Sequence, residues 1–207
     1  TAQLCLSARR RRVAQRARAA VRFVEVGRAS APAGDALFHP GHTWVQIHGD
    51  RLATIGANAF AANFAGELRS VETPREGSKL DQAEPAWTLV SSRGRRLELP
   101  MPIAGEVLAV NADVCRDPGL LQRRPYDQGW VLRIKPRHVK DALRNLLPAT
   151  AAEHWIDAAR SAVTTRTVVA PGAVAFDGGE WSPAFGDRLV DRDWYGLRRE
   201  LFPTCAR

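Results

Sequence analysis

Trp87–Val110 reads WTLVSSRGRRLELPMPIAGEVLAV. Two apolar runs, Trp87 to Val90 and Leu97 to Leu99, flank Arg93-Gly94-Arg95-Arg96. A glycine inside a short charged link between β-prone runs marks a tight hairpin. Val107 to Val110 supplies a further strand just past Pro102 and Gly105. The same grammar extends outward from this stretch. Val45 and Ile47 alternate with polar neighbours, Gly49-Asp50 predicts a two-residue turn, and Leu52 to Ile55 returns. Downstream, Trp130, Leu132 and Ile134 share one face of a strand while Arg133 and Lys135 take the other. Short strands punctuated by glycine and proline predict a mainly β sandwich or barrel over residues 35–136.

Beyond Pro136 the period changes. Val139, Leu143 and Leu146 recur at helical spacing until Pro148, and Thr150-Ala151-Ala152-Glu153 has the pattern of a capping box opening a second helix. Its apolar stripe is Ala152, Trp155, Ile156, Ala159 and Val163. Asp117-Pro118 is a further helix-opening pair within the β-rich zone. The chain closes with a turn-rich stretch from Pro171 and a short amphipathic segment around Trp194, Leu197 and Leu201. Residues 137–207 thus predict a helical C-terminal extension. Its tryptophans, Trp155, Trp181 and Trp194, are expected to pack on the chain's own body.

A hydrophobic content of 45% with 25% charged residues fits a globular chain able to bury a core without metal or disulfide help. The net charge of +8 is concentrated at one end. Residues 1–34 form an arginine- and alanine-rich arm that ends in Ser30-Ala31-Pro32-Ala33-Gly34. Arg9, Arg10, Arg11 and Arg12 are its densest block and suit an anionic surface. Leu4 to Ser7 running into that block reads as the cytoplasmic end of a membrane helix upstream of Thr1, which would tether a cytoplasmic protein to the inner face of a membrane. An arginine-rich start with no anchor is the plainer alternative. The arm also raises nucleic-acid binding, a reading given little weight because the remaining charge is nearly balanced. The cysteines, Cys5, Cys115 and Cys205, are too far apart in sequence for a zinc or redox pair, and no metal is expected at His39, His42 and His48, whose strand alternation separates them. No catalytic elbow or phosphate-cradling loop is present, so no catalytic residue is nominated and the chain is read as not an enzyme.

Separated segments resemble one family, in order along the chain. His42-Thr43-Trp44-Val45 and Thr54-Ile55-Gly56 with an alanine-rich turn are similar to the opening of the glycine cleavage system H protein. Gly66-Glu67-Leu68, Val71-Glu72-Thr73-Pro74 and Gly77 resemble its next strand and loop, and Pro102-Ile103-Ala104-Gly105-Glu106-Val107 with Asn111 resembles the strand after its hairpin. Pro125-Tyr126, Gly129-Trp130 and Ile134-Lys135-Pro136 resemble its closing segment. The resemblance implies a flattened barrel-sandwich hybrid of the lipoyl type. It also implies a hairpin lysine acylated by lipoate, which carries an aminomethyl group between partner enzymes.

Counting back from Pro102 without gaps, the position of that lysine falls on Gly94, and Glu98 matches the acidic residue after it. The only lysines are Lys79, Lys135 and Lys140, and an arginine cannot offer the neutral amine that amide formation needs. The expectation is therefore a non-lipoylated relative without cofactor, a scaffold or adaptor for a protein partner, with Arg93, Arg95 and Arg96 as candidate binding residues at the hairpin tip. A working carrier lipoylated at an unexpected lysine is the alternative, and for Arg93, Arg95 and Arg96 the alternative is a solvated turn.

Overall fold

A computed structural model describes residues 35–166 and 182–202. The basic arm with Arg9, Arg10, Arg11 and Arg12 lies outside the described residues, as do Trp181 and Cys205. Ten strands form two antiparallel sheets that do not close into a barrel. The strands are β1 (Leu37–His39), β2 (Thr43–Ile47), β3 (Ala53–Ala57), β4 (Leu68–Glu72), β5 (Lys79–Leu80), β6 (Pro85–Ser91), β7 (Arg96–Pro100), β8 (Gly105–Val110), β9 (Trp130–Pro136) and β10 (Leu147–Pro148). Seven of them run in the order β10-β1-β2-β3-β9-β8-β5, and β4-β6-β7 make the smaller sheet. The mainly β fold with a helical C-terminal extension is the one expected. The core is built from inward-facing strand residues, among them Ile55, Leu89, Leu97, Leu99, Leu132 and Ile134, all fully buried.

Several local expectations shift. The turn after β2 is wider than two residues: Ile47 pairs with Ala53, and the link is closed by the His48 N–H donating to the Leu52 carbonyl at 2.7 Å. The alanine-rich turn after β3 is a helix, α1 (Ala59–Ala65), capped by Asn58, whose Oδ1 accepts from the Ala61 N–H at 2.9 Å. Two short helices follow β8, α2 (Ala112–Arg116) and α3 (Leu120–Arg123); α3 is the helix that Asp117-Pro118 announces, and α2 is capped by Asn111.

The stretch expected to be helical up to Leu146 is broken. It gives one turn, α4 (Val139–Ala142), a 3-10 turn (Leu143–Asn145), and then β10 paired with β1. Pro148 disfavours the helical region for Leu147 before it, and an extended Leu147 finds its backbone partner at Phe38. The next helix, α5 (Ala149–Arg166), starts immediately after this pairing, which puts Thr150 inside the first turn rather than at the cap. The larger sheet therefore takes its last strand from beyond Pro136.

His42 sits where these parts meet. It is fully buried, with ring centroids of Phe60, Trp155 and Phe202 at 4.8, 4.1 and 4.5 Å, and its Nδ1 accepts from Asn58 Nδ2 at 3.2 Å. This is a structural histidine. No group of three or more metal-binding side chains occurs among the described residues. Burial pushes its pKa from the ordinary 6.5 down to about 3, and burial pushes that of His39 down to about 4. Both rings are neutral in the fold and protonate readily only when it opens. Their contribution is complete above pH 6.5 and is lost as pH falls from there toward the folded-state values. Urea denaturation is expected to show stability falling by roughly 2 to 5 kcal/mol between pH 7 and pH 4.5. A His42→Gln variant is expected to have a flatter profile over that range.

Candidate functional site

The hairpin of β6 and β7 is closed by three residues, Ser92-Arg93-Gly94. The Gly94 N–H donates to the Ser91 carbonyl at 2.9 Å, and the Ser91 N–H donates to the Arg95 carbonyl at 2.9 Å. This three-residue loop needs a left-handed residue at its third position, and Gly94 fills it with φ +77°. Nothing lies within 4 Å of where a Gly94 side chain would begin, so the apex is open. Ser92 braces the loop from one side, its N–H donating to the Glu67 carbonyl at 2.7 Å.

The three arginines beside that apex have three different situations. Arg93 is exposed, its Nε 3.8 Å from Asp187. Arg96 makes a two-pronged pair with Glu72 from β4, with Nη1 donating to Oε1 at 2.8 Å; this bond holds the Glu72 carboxyl below its usual range. Arg95 departs from the expectation of an exposed tip, since only 3% of it reaches solvent. Its guanidinium is covered by the C-terminal extension, a 3-10 turn (Phe185–Arg188) followed by α6 (Asp191–Leu201). Nη1 donates to the Gly186 carbonyl at 2.5 Å and Nη2 to the Leu189 carbonyl at 2.7 Å. Asp191 Oδ1 accepts from Nη2 at 2.7 Å and from Nε at 3.1 Å, while the plane lies 5.3 Å from the Trp194 ring. Arg95 is thus an internal clamp rather than a contact open to a partner.

The extension is secured on its other side by α1. Phe64 stacks on Trp194 with centroids 5.4 Å apart, and its carbonyl accepts the indole N–H at 2.8 Å. Asn63 Oδ1 accepts from the Ala184 N–H at 2.9 Å, and Asp187 Oδ2 accepts from the Glu67 N–H at 2.6 Å. Gly186 comes so close that a Cβ there would sit 1.9 Å from the Phe64 carbonyl oxygen, which no side chain tolerates. Sequence reasoning nominated none of Asn63, Glu67, Asp187 or Asp191. One signal was available in α1, AFAANFA, a helix with almost no polar face, which requires cover on two sides.

The profile of the family described as Glycine cleavage H-protein matches residues 36–159. The chain belongs to this family. It is 36% identical over 110 residues to the glycine cleavage system H protein of Chromobacterium violaceum, covering 53% of this chain and 84% of that one. It is 33% identical over 117 residues to that of Chromohalobacter salexigens, 56% of this chain and 88% of the relative. The mitochondrial H protein of Oryza sativa subsp. indica is 35% identical over 113 residues, 55% of this chain and 68% of that one. In structure, the fold is similar to a glycine cleavage system H protein from Mycobacterium marinum, with a TM-score of 0.51 and 24% identity over 57% of this chain and 93% of that one. The clamp on Arg95 comes from residues 186–191, past the end of the family match.

Replacing Arg95 with alanine would leave the Leu189 carbonyl without its donor, take one of two donors from the Gly186 carbonyl, which keeps the Leu189 N–H, and strip the Asp191 carboxylate of its ion pair. Arg95→Ala is expected to lower stability by about 2 to 4 kcal/mol in urea denaturation. Arg93→Ala, removing an exposed charge 3.8 Å from its partner, is expected to fall within the error of the same measurement. Equal effects of the two would remove Arg95 as the clamp.

Proposed function

We propose that this H-protein family member is not lipoylated and acts as a binding scaffold or adaptor for a protein partner. The observation that carries this reading is Gly94, a left-handed glycine at the position to which the gap-free count assigns the acylated lysine. The lysines present support it further. Lys79 in the edge strand β5 and Lys135 in β9 each pair across the sheet with Glu106 of β8, so both belong to strands of the larger sheet. Lys140 lies on the single turn α4. None sits at the apex of a turn. The aminomethyl carriage that the family name brings to mind needs a swinging arm, and without an amine at the apex what is left to the fold is recognition.

The basic arm adds an anionic membrane surface as a second contact, with the body held at the cytoplasmic face. Among the described residues no helix is long and apolar enough to cross a membrane, so any anchor would lie elsewhere. Nucleic-acid binding through the arm is the weaker version, because the body supplies no matching basic groove in its nearly balanced sequence.

Intact-mass measurement after coexpression with a lipoate ligase separates scaffold from carrier. The wild-type chain is expected to keep its unmodified mass. A lipoyl-sized addition on Lys79, Lys135 or Lys140 would make it a carrier and reject the scaffold reading. A Gly94→Lys chain run alongside reports whether the ligase still reads this hairpin. It is expected to fold with a loss of about 1 kcal/mol from the left-handed backbone, since the side chain itself meets open space.

A further inference from the structure

We infer that the hairpin end of the body is a peptide-docking surface, occupied at rest by the chain's own residues 184–202, which must lift away before a protein partner can bind there. The contacts have the form of a ligand in a site. Residues 184–202 add no strand to either sheet. The segment is recognised instead through directed bonds between the body and its backbone and through three buried aromatic side chains, Phe185, Trp194 and Phe202. Arg95 reads the Gly186 and Leu189 carbonyls of one turn and then a carboxylate, Asn63 reads the Ala184 N–H, and the Phe64 carbonyl receives the Trp194 indole. A buried arginine at the centre, an aromatic anchor in a fully buried socket and a more exposed outer edge reproduce the anatomy of a protein–peptide interface.

The surrounding chain is consistent with a separable occupant. The family match ends at residue 159, and residues 167–181 separate α5 from the segment that docks. Asp191, which closes the clamp, is exposed over 77% of its side chain, so water can reach the outer edge of the Arg95 pair first. Beneath the segment lie Phe60 and Phe64, apolar rings that need cover from the segment or from a replacement. The replacement that fits is a partner segment of the same chemistry: a turn that presents two carbonyls to the guanidinium, an acidic residue just after it, and a short amphipathic helix with a tryptophan on its inner face. This inference builds on the scaffold reading but does not share its test. Lipoyl addition in the mass experiment would remove the scaffold and leave the occupied surface standing.

Native-state hydrogen exchange of the full chain, read by mass spectrometry across a denaturant series, tests the opening. The amides of α6 and its C-cap, those of Trp194 and Phe202 among them, are expected to exchange through a partial opening that leaves β6 and β9 protected. Gly186→Ala, which drives a Cβ into the Phe64 carbonyl and alters no hairpin residue, is expected to speed α6 exchange by about ten-fold or more. The opened chain is then expected to bind a labelled synthetic peptide of residues 182–202. The same peptide carrying Asp191→Ala and Trp194→Ala is expected to bind at least about ten-fold more weakly. If α6 and the strands lose protection together in the wild-type chain, or if Gly186→Ala abolishes folding altogether, the segment is part of the core and the inference fails. It fails equally if an opened, folded chain ignores the peptide.

Discussion

A guanidinium taken out of water has five N–H donors to satisfy, and Arg95 satisfies four bonds on three acceptors, all of them in the C-terminal extension. That requirement organises the end of the molecule. Because the donors fan out in one plane, the Gly186 and Leu189 carbonyls and the Asp191 carboxylate must come to the same edge, which fixes the turn before α6 and the angle at which that helix leaves it. Phe64 then meets Trp194 face to face, and α1, pressed between the sheets and the extension, can be apolar almost all the way round. Were Arg95 lost, the site would not revert to a solvated loop; it would leave the Leu189 carbonyl without its donor.

Much of the body was legible from the sequence because its signals are local. The alternation in Val45 and Ile47, and in Trp130, Leu132 and Ile134, is a two-residue rule that needs no knowledge of the partner strand. The glycine at 94 was legible for the same reason, since a three-residue hairpin asks for a left-handed residue at a fixed place. The family resemblance then placed the matching segments in order along the chain, and the family match spans residues 36–159.

What could not be read depends on distant encounters. Arg95 and Arg93 are indistinguishable by residue type and lie two positions apart, yet one is a buried clamp and the other exposed; the difference comes from carbonyls about ninety residues downstream. Leu147 and Pro148, at what looked like the end of a helix, became a strand because β1 had an unpaired edge to offer. The Thr150 capping pattern was overridden by that pairing, which starts α5 earlier. Charge at the tip was visible in the sequence, but its direction, inward or outward, was not.

The outermost members of the larger sheet, β5 and β10, are two residues each, and β10 ends in a proline that has no N–H to donate. The flanks of the smaller sheet carry Arg69 and Glu72 on one strand and Arg96 and Glu98 on the other. Among the described residues, then, the larger sheet ends in strands too short to template a neighbour, and the smaller one carries charge along both rims, two devices that oppose edge-to-edge pairing between copies.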